Sequence, residues 1–266
     1  MIALPRSTYY YRSCAVEHGL TDARLVDLIG DIHDEFPGYG YRRVTLELLA
    51  RGYCVNHKRI ARIMRERALG AIRRRRFMCT TDSDHDNPVF PNRYRNQIPD
   101  RPDHTWVADI TYVALASGFA YVAVILDACS RKVVGYAISR QIDTELTLAA
   151  LEVAVQTRRP EPGTCIHHSD RGAQYASSTY REALTRYGLV GSMSAVGNPY
   201  DNAQAESFMK TLKVEEVYLA GYETFADVTS RLPTFIDQVY NSRRMHSSIS
   251  YLSPNRFEVL LAQQVA

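Results

Sequence analysis

Three short apolar segments between residues 106 and 139 most strongly limit what this chain can fold into. The segments are WVADITYVAL, FAYVAVILDA and KVVGYAIS, and the turn sequences ASG and DACSR separate them. Their apolar residues recur with a period close to two, which is typical of β-strands. Because the connections are short, the pattern predicts three successive strands in an antiparallel meander.

The segments that follow alternate between helical and strand patterns. We predict a helix over 144–156, a short strand at CIHHSD, a helix around 179–187, a short strand near Met193, and a helix that contains AQAESFMKTLK. In this last helix the helical period places Ala205, Phe208, Met209 and Leu212 on an apolar face that packs on the sheet, and Asn202, Glu206, Lys210 and Lys213 on a polar face. The segment from residue 222 onward is predicted to be helical. Strands followed by alternating strands and helices predict an α/β fold with a mixed sheet flanked by helices. Such sheets place sites at the carboxyl ends of their strands.

Residues 21–77 form a separate basic segment with helical periodicity. Helices are predicted over 21–32 and 42–51, and Asn56 is a plausible N-cap for a third, HKRIARIMRERAL. Residues 40–77 contain twelve lysines and arginines against two acidic residues, although the whole chain carries only +3. Three helices with a basic last helix are typical of helix-turn-helix domains, whose last helix enters the major groove of DNA.

Two groups of cations are the candidate DNA contacts of this basic segment. On the third helix, Ile60, Ile63 and Met64 are expected to face inward. The candidate contacts are Lys58, Arg59, Arg62 and Arg65, which face outward, and the run Arg73, Arg74, Arg75 and Arg76. A solvated helix face is the commoner meaning of such a stripe. The additional run favours DNA, because counterion release rewards clustered charge.

The chain divides by pattern into five parts. They are an N-terminal tail (1–20), a helix-turn-helix domain (21–77), a linker without periodicity (78–104), an α/β domain (105–217) and a C-terminal helical extension (218–266). No apolar run is long enough to cross a membrane, no secretory signal is evident, and the five cysteines form no CxxC pair. We therefore expect a cytoplasmic protein with reduced thiols.

Three acidic residues stand out by their position. Asp109 lies within the first predicted strand, where an ionised group is expensive to bury. Asp170 ends the strand IHHSD, and Glu206 starts a helix. If the first and fourth strands pair and that helix packs across them, the carboxylates converge and repel one another unless a cation is present. Oxygen ligands suit magnesium or manganese, and a pair of such ions supports cleavage of phosphodiesters.

Each acid also has a simpler interpretation when it is taken alone. Asp109 could cap a loop at a strand edge, and Asp170 could form the turn SDRG. Glu206 could pair with Lys210 one helical turn away, which stabilises a helix by only ~0.3–0.5 kcal/mol. Asp127 is a rival for the second acid because it also ends a strand, although DACSR favours a hairpin turn.

The adjacent residues His167 and His168 could suggest a metal site. Neighbouring side chains of a strand point to opposite faces, so these two histidines cannot chelate one ion together. We therefore interpret them as residues that fill space on the two sides of the strand.

The acidic segments resemble the three acidic motifs of DDE transposases and retroviral-type integrases. The segments are WVADITYV, HHSDRGAQYAS and GNPYDNAQAESFMKTLK, and 35 residues separate Asp170 from Glu206. The resemblance is strongest to transposases of the bacterial IS-three insertion-sequence family. It extends to YGYRRVTLELLARGYCVNHKRIARIMRERAL, which resembles the family's helix-turn-helix segment, and to YNSRRMHSSISYLSP, which resembles its terminal motif. Residues 25–257 are covered in all.

The resemblance implies an RNase H-like integrase catalytic core that cleaves DNA at the ends of an insertion sequence and transfers the freed 3′-hydroxyl to another phosphodiester. It implies that Asp109, Asp170 and Glu206 are the catalytic residues and hold magnesium or manganese, as two ions. Lys213 matches the basic residue that follows the glutamate in the family, and with Lys210 it would hold terminal DNA phosphates.

The resemblance also implies a set of partners. Double-stranded DNA would be bound as the terminal inverted repeats of the element and as the target, by a homo-oligomer in the bacterial cytoplasm, associated with the nucleoid. An upstream reading frame of such elements often supplies a further helix-turn-helix and a leucine zipper, and this chain has no heptad pattern. Two other functions are considered: a non-catalytic DNA-binding regulator with a relic core, and a plain nuclease. The intact acids argue against decay, and Lys213 with the flanking DNA-binding segments favours transposition.

Overall fold

The computed structural model describes residues 20–70, 88–94, 99–195 and 202–265 of the 266-residue chain. The chain divides into two compact units, Met1–Arg73 and Arg74–Ala266. Within the described ranges, no helix is both long enough and apolar enough to cross a membrane.

Three helices form the first unit. They are α1 (Asp22–Glu35), α2 (Tyr41–Ala50) and α3 (His57–Glu66). Thr21 and Asn56 cap α1 and α3, because their side-chain oxygens accept hydrogen bonds from N–H groups of the first turn. The predicted start of the third helix is therefore confirmed. The apolar faces of the helices bury Leu25, Leu28, Ile29, Ile32, Val44, Leu48, Ile60, Ile63 and Met64.

A five-stranded mixed sheet forms the centre of the second unit. The strands are β1 (Thr105–Leu115), β2 (Gly118–Asp127), β3 (Val133–Ser139), β4 (Ile166–Ser169) and β5 (Val190–Met193). Their order is β3-β2-β1-β4-β5. The first three strands pair antiparallel, as the predicted meander does, whereas β4 pairs in parallel with β1 and with β5. The predicted α/β class with a mixed sheet is confirmed.

Three helices cover one face of the sheet. They are α4 (Thr144–Arg158), α5 (Ala173–Ala176) and α6 (Ser178–Arg186). Trp106 of β1 is fully buried there, in one apolar cluster with Leu151 of α4 and Tyr180 of α6. Gly135 of β3 allows α4 to pack closely, because a Cβ at this position would collide with the carbonyl oxygen of Ala150. Close packing of α4 thus depends on a residue without a side chain.

The opposite face is covered by helices that follow β5. They are α7 (Ala203–Leu212), which continues as a π-helical segment (Lys213–Val217) into α8 (Tyr218–Ala220), and α9 (Phe225–Thr234) with a π-helical continuation (Phe235–Tyr240). A 3₁₀ turn (Ser247–Ile249) and α10 (Pro254–Val265) complete the chain order, and Glu258 of α10 pairs with Arg158 of α4. The predicted apolar face of α7 is buried on the sheet: Ala205, Phe208, Met209 and Leu212. Val228, Leu232 and Ile236 join the same cluster, so residues beyond 217 complete the core of this unit.

Part of the predicted linker packs against β5. The ring of Phe90 lies so close to Gly191 that a Cβ there would fall 2.6 Å from it. The backbone N–H of Arg93 donates a hydrogen bond to the hydroxyl of Ser192 at 2.9 Å. Residues 88–94 therefore depend on the sheet for their position.

A buried ion pair ties the C-terminal segment to the end of α7. Arg244 donates from Nε and Nη2 to the two carboxylate oxygens of Glu215, each at 2.6 Å. The two side chains are only 5% and 9% exposed. This two-pronged geometry is the strongest form of such a pair, since the planar guanidinium matches the carboxylate.

We expect Arg244→Ala to lower the free energy of unfolding by about 3–5 kcal/mol, because it leaves the charge of Glu215 buried without its partner. Urea denaturation followed by circular dichroism measures the change. Arg256→Ala is the matched control, since Arg256 is exposed on α10 and its loss is expected to change stability by less than about 0.5 kcal/mol. Equal losses in the two variants would contradict the burial of the pair.

Candidate active site

Asp109 and Asp170 lie beside each other where the pairing of β1 and β4 ends. Val107 of β1 is opposite His168 of β4 in a parallel register. Extending that register by two residues places Asp109 opposite Asp170. Alternation along β1 puts Asp109 on the same face as Val107, which is the face that α7 covers. The two strands thus bring together acids that are far apart in sequence.

Helix α7 brings Glu206 to the same edge of the sheet. Asn202, just before the helix, donates from its side-chain amide to the carbonyl oxygen of Ala108 at 3.2 Å, next to Asp109. Glu206 follows one turn later, with its N–H donating to the carbonyl of Asn202 at 3.1 Å, and is exposed. The helical period predicts Asn202 on the polar face of the helix. It is buried instead, because its amide anchors the helix to β1.

The electrostatics of Asp109 depend on its burial and on the two other acids. Burial raises the pKa of Asp109 to about 8, and the charges of Asp170 and Glu206 act in the same direction. The N–H of Ile110, which donates to Asp109 at 2.8 Å, and the ammonium of Lys213 act in the opposite direction. A carboxyl group perturbed by both burial and like charges is characteristic of functional sites.

The donors of this site are carboxylate oxygens, which suit a hard divalent cation. Over residues 20–70, 88–94, 99–195 and 202–265, no group of three acidic, histidine or cysteine side chains is arranged to coordinate one metal ion. Repulsion from the other two carboxylates contributes to the raised pKa of Asp109. The same repulsion keeps the three carboxylates from moving closer together unless positive charge is added. Asp109, Asp170 and Glu206 therefore fit magnesium or manganese by their chemistry.

Lys213 and Lys210 differ in their surroundings. Lys213 follows Glu206 by seven residues, nearly two helical turns, and is half-buried. Its Nζ lies 4.4 Å from the centroid of the Tyr112 ring. Burial lowers the pKa of Lys213, and the charge of Asp109 opposes that shift. Lys213 is thus part of the electrostatic site, whereas Lys210 lies exposed on the same helix.

The predicted cations of α3 also fall into two classes. Arg59 donates from Nε to Asp22 at 2.9 Å, and Arg62 donates from Nη2 to the same carboxylate at 2.7 Å. These two arginines join α3 to the start of α1, an intramolecular role that the charge pattern alone did not reveal. The remaining predicted contacts are Lys58 and Arg65, which are exposed, and Arg73, Arg74, Arg75 and Arg76, which lie outside the described residues.

Asp127, the alternative second acid, has a structural role. It is fully buried, and one carboxylate oxygen accepts from the N–H groups of Cys129 and Ser130 at 3.0 and 2.7 Å. The other accepts from the N–H of Asp103 at 2.6 Å. Burial raises the pKa of Asp127 to about 6 against the effect of these hydrogen bonds. The hairpin-turn interpretation is confirmed.

The two histidines of β4 are buried on opposite faces of the sheet. His167 lies 3.0 Å from the hydroxyl of Tyr180, whereas His168 lies 2.8 Å from the hydroxyl of Ser192. Burial lowers the pKa of His167 to about 3, so this ring is neutral. Their interpretation as packing residues is confirmed.

Sequence reasoning missed two residues, one that anchors α7 and one that contacts Lys213. Asn202 precedes a helix, and an asparagine at that position usually signals a cap, which hides its bond to Ala108. Tyr112 shows only the alternation of a strand residue. Neither contact has a local sequence signal, because each joins segments that are distant in the chain.

These features define an integrase-type core of the RNase H-like fold, preceded by a helix-turn-helix unit. Residues 99–199 and 187–254 match family models described as integrase core domain, and residues 21–77 match one described as HTH-like domain. A chain of the simian T-cell lymphotropic virus intasome, solved in complex with PP2A regulatory subunit B56 gamma, has a similar fold with a TM-score of 0.51. It is 16% identical, and the match covers 86% of this chain and 74% of that one.

Sequence relatives identify the family. The chain is 40% identical to the insertion element IS600 uncharacterized 31 kDa protein of Shigella sonnei, over 86% of this chain and 84% of the relative. It is 37% identical to the transposase for insertion sequence element IS904 of Lactococcus lactis (85% and 89%) and 38% identical to transposase InsF for insertion sequence IS3A of Escherichia coli (83% and 76%). The chain belongs to the IS3 family of insertion-sequence transposases.

We expect Asp109→Asn to stabilise the metal-free protein, and more so at pH 8 than at pH 5. Asp109 keeps its proton to about pH 8 when folded but only to about its ordinary value of 3.8 when unfolded. The folded state therefore binds more protons in this window, and stability falls as pH rises through it. The variant lacks this loss, so it should exceed the wild type by at least about 1 kcal/mol at pH 8.

Urea denaturation in EDTA at both pH values measures this difference. Glu182→Gln is the control, because it removes one carboxylate from an exposed position on α6 and should change stability by less than about 0.5 kcal/mol. An Asp109→Asn variant that gains no more at pH 8 than at pH 5 would contradict the raised pKa of Asp109.

Proposed function

We propose that this chain is a DDE-type polynucleotidyl transferase that cuts DNA at the ends of its insertion sequence and joins the freed end to a target. Membership of the transposase family supports transposition as the overall process. The observation that carries the chemistry is the coupling of Asp109 to Asp170 and Glu206 at the edge shared by β1, β4 and α7.

The three acids would hold two magnesium or manganese ions. When bound, such ions supply Lewis acidity at the phosphate and favour the ionised form of the attacking oxygen. Asp170 directly follows β4, next to Asp109 on β1, so these two carboxylates would hold the ions together. Glu206 would complete the site from α7, with its helix held to β1 through Asn202.

Two successive displacements account for cleavage and joining. In the first, water attacks a phosphodiester at the element's end, and the bond to the 3′ oxygen breaks, which leaves a 3′-hydroxyl and a 5′-phosphate. In the second, that 3′-hydroxyl attacks a target phosphodiester, and the target's own 3′ oxygen leaves. Lys213, with Lys210, would hold the terminal phosphate, since a lysine ammonium binds phosphate as a compact charge.

The helical unit would bind the terminal repeats of the element as double-stranded DNA. Its exposed Lys58 and Arg65 would contact phosphates, while Arg59 and Arg62 would keep α3 joined to α1. An element has two ends, and both must reach one target, so at least two subunits are expected on the DNA. A protein from an upstream frame, with a further helix-turn-helix and a leucine zipper, would add to this assembly.

We expect Glu206→Gln to reduce cleavage and joining of end-containing DNA by at least about 100-fold, because an amide replaces a charged ligand of the ions. Duplex oligonucleotides with the ends of the encoding element are incubated with Mg²⁺ or Mn²⁺ and resolved on denaturing gels. Binding of the same DNA, measured without metal, should remain within about threefold of the wild type. EDTA should abolish both reactions of the wild type.

Glu182→Gln is the matched control for this experiment and should cut like the wild type, because its carboxylate lies exposed on α6. Equal cleavage by wild type and Glu206→Gln would overturn the assignment of the acids. Cleavage without joining would favour the plain nuclease, and binding without either reaction would favour the regulator.

We expect Lys58→Ala and Arg65→Ala each to weaken DNA binding and to reduce the slope of log affinity against log salt by about 1, because each removes one phosphate contact. Fluorescence anisotropy over a salt series measures the slope. Arg59→Ala should in addition lower the melting temperature, since it breaks the link to Asp22. If Lys58→Ala lowered the melting temperature as much as Arg59→Ala does, the division of these cations into DNA contacts and structural residues would be contradicted.

A further inference from the structure

The ammonium of Lys213 is held by an aromatic ring. Its Nζ lies 4.4 Å from the centroid of Tyr112, well within the range of a cation–π interaction. Among the described residues, Lys213 forms no ion pair with a carboxylate. The ring of Tyr112 is therefore a contact that can orient this charge.

Tyr112 is itself held in place by its strand and by a neighbouring ring. It lies on β1 three residues after Asp109, on the part of the strand that extends beyond the paired residues of β4. The ring of Phe119 meets it edge-on, with centroids 5.4 Å apart and an interplanar angle of 90°. Tyr112 is half-buried, and Phe119 is 47% exposed. The pair forms an aromatic support for the ammonium of Lys213.

An aromatic ring orients a cation without neutralising it. The face of the ring carries partial negative charge and attracts the ammonium, but the ring has no net charge. A carboxylate in the same place would form an ion pair and compete with DNA for the lysine. Restricting the flexible lysine stem beforehand also reduces the entropy lost when a phosphate is bound.

We propose that Tyr112 is a positioning residue, which holds the ammonium of Lys213 toward the phosphate of the DNA end. The inference rests on the proposed function of the core and adds to it a residue that touches neither the acids' ions nor the reacting phosphate. Phe119 supports the ring from its exposed side.

The test uses four variants of the full chain: Tyr112→Leu, which removes the ring, Tyr112→Phe, which keeps it, Lys213→Met, and the Tyr112→Leu/Lys213→Met double variant.

Phe225→Leu is the matched control. The Cζ atom of Arg140, just after β3, lies 4.4 Å from the centroid of the Phe225 ring, so this variant also removes a ring from under a cation. The probe is a duplex oligonucleotide with the element's end, and its Kd is measured by fluorescence anisotropy in EDTA.

We expect Tyr112→Leu to weaken end binding about three- to tenfold and Tyr112→Phe to weaken it less than twofold. In the Lys213→Met background, Tyr112→Leu should have no further effect, since the group it positions is gone. Phe225→Leu should bind like the wild type. Independently of DNA, reductive methylation of lysines with a ¹³C label should show the resonance and pKa of Lys213 moving in Tyr112→Leu.

Each other result overturns the inference. If Tyr112→Phe weakened DNA binding as much as Tyr112→Leu, the effect would belong to the hydroxyl and not to the ring. If Tyr112→Leu weakened binding equally in the Lys213→Met background, the two residues would act independently. A Lys213 resonance that ignores Tyr112→Leu would show that the contact is absent in solution. Wild-type protein that neither binds nor cuts end DNA would instead overturn the proposed function, whatever the resonance shows.

Discussion

The parallel pairing of β1 with β4 is the constraint on which the rest of the structure depends. It places Asp109 opposite Asp170, although the two acids belong to segments separated by two strands and a helix. Because β1 lies at the centre of the sheet, helices cover both of its faces, and α7 can lie across it with Glu206 at the same edge. A one-residue slip of this register would turn one acid to the opposite face.

The ionised form of Asp109 works against the stability of the fold, and ion pairs elsewhere support the frame. Like charges and burial raise the pKa of Asp109, so its ionised form is costly in the folded state. The bidentate pair of Arg244 with Glu215 holds the segment that follows α7, and a second, of Arg158 with Glu258 at 2.8 and 3.0 Å, holds α10 to α4. Destabilising charge at a functional site is commonly offset by such structure around it.

The cations of α3 and of the acidic site have three different settings. Arg59 and Arg62 pair with one aspartate and hold two helices together, whereas Lys58 and Arg65 point to solvent from the same helix. Lys213 is a third case, since a ring holds it while its charge remains available. A stripe of basic residues therefore overstates the number of DNA contacts unless the acids that face it across the fold are known.

The sequence by itself determined the elements and the chemistry. The alternation in 106–139 predicted β1 to β3, the helical period predicted the buried face of α7, and the acidic motifs singled out Asp109, Asp170 and Glu206, because side-chain direction within one element follows from its local repeat. Only the tertiary structure decided that β4 pairs with β1, that Asn202 anchors α7 to Ala108, and that Tyr112 meets Lys213. These contacts join distant segments, and they depend on the packing of the whole core rather than on any local pattern.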